Sequence, residues 1–272
     1  DEDGSATDTG ATDTAATDTA AVETGTSTDT TGAAASIEDA GDVLVEYVDP
    51  DDPNLQPYFQ LMQESGIWDL IASNANETLA LPKDLVFSIQ ELDGPAFYPE
   101  QDGIALPPSF AAYVDQLFTQ ADPSASIDDL KQRILSVYAF VTFHELGHAL
   151  VEYYDLPITG KEEDAVDQLA TYIATQGDPE SGGELALSAA ATFGLSASMR
   201  SEFEAADFWD EHSLDEQRFF NILCWVYGSN PEAYADDVAD AGLGEDRLAR
   251  CEDEYAQLAN SWEQLLAPYV KQ

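Results

Sequence analysis

Residues 144–148 read His-Glu-Leu-Gly-His, and this short motif has the residue types and the spacing of a metal site with its own general base. On a helix, His144 and His148 lie one turn apart on the same face, so both imidazoles can bind one tetrahedral Zn²⁺ ion. Glu145 lies about 100° round the helix from His144. Its carboxylate can therefore reach a water molecule at the metal without becoming a ligand. The motif predicts bound zinc and Glu145 as the catalytic base.

The helix predicted around this motif carries apolar residues on nearly every side, which indicates that it is buried. These residues are Ile134, Leu135, Val137, Phe140, Val141, Phe143, Leu146, Leu150 and Val151. Burying two histidines and a glutamate is costly without a partner, and a metal ion is the simplest partner. A chance match is disfavoured because the chain has 3 histidines and two of them fall in the motif. Gly147 is unfavourable inside a helix, so we expect another segment to approach closely there.

The third metal ligand is expected from the next predicted helix, which begins near Lys161. One face of this helix carries Glu163 and Asp167 together with two alanines that would allow close packing against the motif helix. Glu163 would complete the site, and Asp167, one turn further on, would orient a ligand histidine. Glu162 is the main competitor because it projects nearer the centre of the apolar face, and Asp164 or Asp167 remain alternatives. Acidic residues are also common in the first turn of a helix, which explains Glu162 and Asp164 without a metal.

Two further residues are candidates for the site. His212 is the third histidine, and it precedes a predicted helix that covers about 214–227. It could stabilise the oxyanion of a tetrahedral intermediate as a catalytic residue, or it could be a structural residue at the helix start. Arg218 is one of five arginines, and a structural ion pair is favoured over binding of a substrate carboxylate for it.

The elements that must position these residues form an α+β pattern, a small β-meander followed by a mainly helical metallopeptidase-like domain over residues 37–272. Strands are predicted within residues 85–107, with a turn at Asp93-Gly94-Pro95. Helices are predicted at 55–76, with a break near Gly66, and from Pro108 to the end of the chain, including the motif helix that opens at Ser126 and ends before Pro157. Residues 1–36 repeat Ala, Thr and Asp without Lys or Arg, which predicts a disordered acidic tether.

The charge of the chain limits its partners. The formal net charge is −45, from 54 acidic and 9 basic residues. Such a field repels nucleic acid and anionic lipid, so neither is an expected partner. It also costs self-repulsion that salt would screen. We interpret the composition as adaptation to a salty medium, with an acidic protein of an ordinary organism as the alternative.

The two cysteines, Cys224 and Cys251, predict one disulfide. No transmembrane segment is expected, because the longest apolar run contains the polar motif itself. The chain starts with Asp1 and no signal peptide is visible, consistent with earlier processing. Together with the Thr-rich tether, these features predict a secreted protein or one tethered to the cell surface through its N-terminal segment.

Four segments of the chain resemble the DUF4344 family of metallopeptidases, a group with a gluzincin-like motif. They are HELGHALVEYYDLPITGKEEDAVDQLA (144–170), LPKDL (81–85), AFY (96–98) and EHSLDEQRFFNILCWVYG (211–228). The resemblance spans roughly residues 50–260, and the first segment is its most specific part. It implies a metallopeptidase fold and peptidase activity for this chain.

The sequence therefore predicts a zinc-dependent peptidase that acts on peptide or protein substrates, with one Zn²⁺ ion held by His144, His148 and Glu163. Zinc would lower the pKa of a water molecule, and Glu145 would move the proton. An edge strand of the predicted sheet would offer a place for an extended peptide. The alternatives are a non-catalytic, zinc-containing surface binding module and a metallohydrolase that does not act on peptides. Glu145 argues against the binding module, because a purely structural site has no need of it.

Overall fold

The computed structural model describes residues 37–177 and 182–271, so the predicted tether at 1–36 lies outside this part of the chain. The described residues form four strands and nine α-helices, which confirms the α+β class. The strands are β1 (Val43–Tyr47), β2 (Leu85–Ile89), β3 (Ala96–Tyr98) and β4 (Gly103–Ala105). The helices are α1 (Gln56–Ser65), α2 (Ile67–Thr78), α3 (Pro108–Ala121), α4 (Ile127–Tyr154), α5 (Glu162–Thr175), α6 (Gly182–Met199), α7 (Asp215–Ser229), α8 (Pro231–Asp240) and α9 (Glu245–Leu266).

The sheet has the order β1-β2-β4-β3, and this corrects the predicted β-meander. A meander pairs successive strands antiparallel, whereas β2 pairs in parallel with β1 on one side and with β4 on the other. No strand was predicted at β1, although its residues Val43–Tyr47 alternate between buried and more exposed positions. Four of the five residues of β2 are buried, as expected of a strand with parallel neighbours on both sides. The short β3 is antiparallel to β4 and lies at one edge of this sheet.

Helix α4 carries the motif and is the central helix of the fold. It begins at Ile127 because the Ser126 hydroxyl caps it by accepting a hydrogen bond from the Asp129 N–H. It ends at Tyr154, where Asp155 adopts a left-handed conformation with φ 50°. More than half of its 28 residues are buried, as its apolar pattern predicts. Helix α4 thereby fixes the motif inside the core.

The long apolar helix does not need a membrane to explain it. Among the residues described, α4 is the only helix long and apolar enough to cross a bilayer, and 72% of its most apolar window is buried within the fold. Helices α3, α5 and α6 all pack against it. Burial in the core therefore accounts for its apolar character.

The predicted disulfide is confirmed. Cys224 on α7 and Cys251 on α9 are joined across a sequence separation of 27 residues, and both are fully buried. The bond links α7 covalently to α9. By chain entropy, closing a loop of this length stabilises the fold by about 3–4 kcal/mol. Salt adaptation, in contrast, stays a prediction.

Candidate metal centre and active-site cleft

The two motif histidines face the same side of α4, as their spacing predicts. Their ring centroids are 5.0 Å apart. His144 is 5% exposed, whereas His148 is partly exposed toward a cleft at the surface. Each ring therefore presents one nitrogen to a common space beside the helix and the other to a neighbouring carboxylate.

Glu163, at the start of α5, lies between the two inner nitrogens. Its Oε2 is 3.1 Å from His144 Nε2, and its Oε1 is 3.3 Å from His148 Nε2. One ligand atom from each of these three residues can be chosen such that all lie within 4.8 Å of one another. Two imidazole nitrogens and a carboxylate are the donor set of several catalytic zinc sites, so the residues present fit that metal.

The close approach of α5 to α4 depends on Gly147. A Cβ atom at this position would lie 2.8 Å from Val166 Cγ1 and 2.9 Å from Val166 Cβ, which is too close for a real side chain. Glycine therefore lets α5 pack directly against the motif, as expected from its unfavourable place inside a helix. This packing brings Glu163 within reach of both histidines.

The outer nitrogen of each histidine contacts a different carboxylate. His144 Nδ1 is 2.8 Å from Asp167 Oδ1, and His148 Nδ1 is 2.7 Å from Glu162 Oε1. Such outer contacts fix the tautomer and the orientation of a ligand imidazole, because the Nδ1–H donates outward and Nε2 is left to bind. Asp167 thus contacts the outer nitrogen of His144, and Glu162 has the matching position on His148. Asp164 lies elsewhere, in a cavity beside α9.

Arg218 has a role that sequence reasoning did not assign to the site. From α7, its Nε donates to Asp167 Oδ2 at 2.8 Å and its Nη2 donates to Asp167 Oδ1 at 2.7 Å. The guanidinium also stacks over the Phe193 ring, 3.9 Å from the ring centroid. An ion pair was predicted for Arg218, but no sequence signal identified Asp167, 51 residues away, as its partner. Arg218, Asp167 and His144 form one continuous chain of contacts.

Glu145 is held by the edge of the sheet. Glu145 is 8% exposed, and its Oε2 accepts a hydrogen bond from the Phe97 N–H at 2.8 Å. Phe97 lies in β3, so the free side of this edge strand faces the motif helix. One carboxylate oxygen is thereby fixed in place beside the two histidines.

His212 also contacts the carboxylate of Glu163. Its Nε2 lies 3.0 Å from Glu163 Oε2, and its ring is nearly parallel to that of His144 at a centroid distance of 6.5 Å. The segment that carries it is held by Lys161, whose Nζ donates to the carbonyl oxygens of Asp210 and His212 at 2.9 and 3.1 Å. Sequence analysis did not foresee this role of Lys161.

The charges around the cluster shift its pKa values in opposite directions. Burial alone would lower the pKa of His144, but the charge of Asp167 and hydrogen bonds to Asp167 and Glu163 outweigh it and raise the pKa. Burial would raise the pKa of Glu163, yet hydrogen bonds from the three histidines hold that pKa well below its usual range. The carboxylate is therefore ionised, as a metal ligand must be, and a metal would have to displace protons from the histidines.

A cleft of about 510 Å³ opens over the cluster. Its lining includes the three predicted ligands, the predicted base Glu145 and His212. A helix with this motif, a carboxylate from the next helix and a cleft above them define a candidate metal-dependent hydrolase.

The comparison with protein families gives the same class. The family model DUF4344, described as "Putative metallopeptidase", matches residues 47–266, which is most of the chain. The chain therefore belongs to the DUF4344 family, as the resemblance of its motifs implied. Neither a curated protein nor a solved structure matches the chain.

Proposed function

We propose that this protein is a zinc-dependent peptidase. The observation that carries the proposal is the convergence of His144 Nε2, His148 Nε2 and the Glu163 carboxylate at the base of a cleft that also contains Glu145. Membership of a metallopeptidase family supports the same conclusion at a coarser level.

Three residues would hold the metal, namely His144, His148 and Glu163. A zinc ion bound there would polarise the scissile carbonyl group and lower the pKa of a water molecule. Asp167 and Glu162 would keep the two imidazoles oriented by accepting their outer N–H groups. Three protein ligands leave one position open, which is the pattern of a catalytic zinc site and not of a structural one.

Glu145 is proposed as the general base. The Phe97 N–H fixes its Oε2, and the second carboxylate oxygen can accept the proton of the attacking water molecule. Glu145 would then deliver this proton to the leaving amine. The backbone contact removes rotational freedom from the side chain, so little ordering is needed when a substrate binds.

Two neighbouring features are suited to hold the substrate. Ala96 and Phe97 of the edge strand β3 line the cleft, so this edge of the sheet forms a wall along which an extended peptide could lie. His212 approaches from the other side and would donate a hydrogen bond to the substrate oxygen that gains negative charge. Peptides and proteins are thus the substrates that the cleft favours.

The disulfide supports an oxidising location for the protein. Such bonds persist mainly in secreted and surface proteins. We propose that the domain acts outside the cell, where residues 1–36 would serve as its tether.

The replacement Glu145→Gln tests the enzymatic part of the proposal. Glutamine keeps the size of the side chain but cannot accept the proton, so peptidase activity should fall at least about a hundredfold while zinc and folding are retained. Cleavage of a broad peptide library would be measured in high salt, with and without a chelator. Glu64→Gln, an exposed position on α1, is the matched control and should keep full activity.

Two results would contradict the proposal. Near-wild-type turnover in zinc-loaded Glu145→Gln would show that Glu145 is not the base. A wild-type protein that binds zinc but cleaves nothing across the library would favour the alternative, a non-catalytic zinc-containing surface binding module.

A further inference from the structure

The two walls of the cleft differ in charge. The wall formed by the edge of the sheet contributes Pro95, Ala96, Phe97 and Pro99, none of which is charged. The opposite wall comes from the end of α4, the start of α5 and residues 211–212, and it contains six carboxylates if Glu145 is included. No Lys or Arg side chain lines the cleft in the described part of the chain.

Four of these six carboxylates lie around the candidate metal centre, and one of them is Glu211, which has an oxygen within 4.8 Å of ligand atoms of Glu163 and His212. Glu163 contacts the three histidines, Glu162 contacts His148, and Glu145 accepts from Phe97. Glu152 and Asp155 are different. Both are exposed, and neither side chain makes an ion pair or a hydrogen bond to the other described residues of the chain. They are therefore available to a ligand in the cleft.

Glu152 and Asp155 lie at the end of α4 that is beyond His148. Glu152 is four residues further along the helix than His148, so these two share one face, and Asp155 is the residue that caps the helix. At about 1.5 Å per residue, Glu152 lies roughly 6 Å and Asp155 roughly 10 Å beyond His148 along the helix axis. One residue of an extended peptide spans about 3.3–3.6 Å, so a long side chain next to a bond that is cut at the metal centre can reach this region.

The surface between these carboxylates is apolar. Val151 and Leu156 line the same part of the cleft, and Leu156 is 8% exposed. A long cationic side chain suits such a surface, because its methylene stem packs on apolar groups while its charged head stays at the carboxylates. Lysine and arginine have this combination, whereas an acidic side chain would meet like charges.

We propose that the cleft selects peptides with a lysine or arginine next to the scissile bond, and that Glu152 and Asp155 determine this selectivity. The inference rests on the proposed peptidase function and adds the substrate class to it. The cleft is identified as a site by the His/Glu cluster at its base, and the two carboxylates decide only which side chain it accepts.

The test compares peptides that differ at one position. Three peptides of otherwise identical sequence would carry lysine, norleucine or glutamate next to the cleaved bond. Wild-type protein at moderate salt should cleave the lysine peptide about two- to fivefold more efficiently than the norleucine peptide, and the glutamate peptide least, given the size of exposed ion pairs. Molar KCl should reduce the preference for lysine, because the Debye length, beyond which charges are largely screened, is then about 3 Å.

The double variant Glu152→Gln/Asp155→Asn should lose the preference for lysine, so that the lysine and norleucine peptides are cleaved with similar efficiency. The matched control is Glu252→Gln/Asp253→Asn on α9, which removes two exposed charges from a helix that contributes nothing to the described cleft. The control should keep the preference, which separates the local carboxylates from the net charge of −45.

A binding measurement separates this inference from the function on which it rests. Calorimetric titration of the Glu145→Gln variant should show the same order of affinity for the three peptides. Equal affinity and equal cleavage of the lysine and norleucine peptides would overturn the selectivity while leaving the peptidase proposal intact. Preferred binding of the lysine peptide without any cleavage by the wild type would support the selectivity and overturn the peptidase proposal.

Discussion

The candidate site has a buried half and an exposed half, which are held in place by different means. In the buried half, His144 is 5% exposed and Asp167 2% exposed, and the hydrogen bonds that join His144, Asp167 and Arg218 come from the helices α4, α5 and α7. In the exposed half, the His212 side chain is 42% exposed and belongs to the segment that precedes α7. Lys161 holds this segment through two backbone carbonyl groups.

This difference suggests that the two halves of the site serve different steps of the reaction. Packed helices hold ligand atoms in fixed positions, as a metal requires. A surface segment tied by one lysine can adjust when a substrate enters, as is common for the moving parts of active sites. We therefore expect changes in the buried half to affect metal binding and changes in the exposed half to affect turnover.

The largest effect is expected from His212→Gln. Removing one donor to a developing oxyanion typically costs about 10²–10³ in kcat, whereas zinc binding should persist because His144, His148 and Glu163 remain. Steady-state cleavage of one peptide, combined with zinc analysis of the same sample, measures both quantities. Loss of zinc from His212→Gln would contradict the expectation that the exposed half affects only turnover, since His212 would then be a metal ligand.

A smaller effect is expected from Arg218→Met in the buried half. The change leaves Asp167 without its cationic partner, so Asp167 orients His144 less well and zinc affinity should fall about 10–100-fold. Competition with a zinc indicator measures this affinity, and turnover of fully loaded protein should change much less. Arg218→Lys keeps the charge but not the two-pronged hydrogen bonding, so we expect an intermediate affinity.

The exposed Arg250 on α9 provides the control for charge alone, and Arg250→Met should leave zinc affinity unchanged. If Arg218→Met binds zinc as tightly as the wild type, Arg218 has no positioning role. Thermal unfolding of each variant shows whether a loss of fold accounts for the result.

The smallest effect is expected from Lys161→Met. The lysine is exposed, so losing its two contacts should lower kcat only about two- to fivefold, with zinc affinity unchanged. Lys161→Arg can still donate to the carbonyl groups of Asp210 and His212, and we expect it to restore most of the activity. An equal loss in both variants would mean that the contacts to these carbonyls do not position His212.

Features that depend on one segment could be predicted from the sequence. His144, Glu145 and His148 share one helix, and Gly66 breaks the preceding helical pattern with φ 65°, so local spacing was sufficient for both. The disulfide needed only the number of cysteines. The position of Glu163 was accessible because α5 follows α4 directly and its small residues indicate close packing.

Features that depend on distant segments could not be predicted. The pairing of β1 with β2 joins segments about 40 residues apart, and without it the three later strands suggested a meander. The contact of Arg218 with Asp167 likewise depends on how α7 packs against α5. Glu162 and Glu163 are neighbours in sequence, and only the packing of α5 decides which nitrogen of His148 each one reaches.

The zinc content of two neighbouring variants, Glu163→Ala and Glu162→Ala, decides whether Glu163 is the third ligand of the metal. Purified proteins would be dialysed against a weak chelator and analysed for metal. We expect about one zinc ion per chain in the wild type and in Glu162→Ala, and clearly less in Glu163→Ala, because only Glu163 contacts both inner nitrogens. Full zinc occupancy in Glu163→Ala, or loss of zinc in Glu162→Ala alone, would contradict the proposed metal centre.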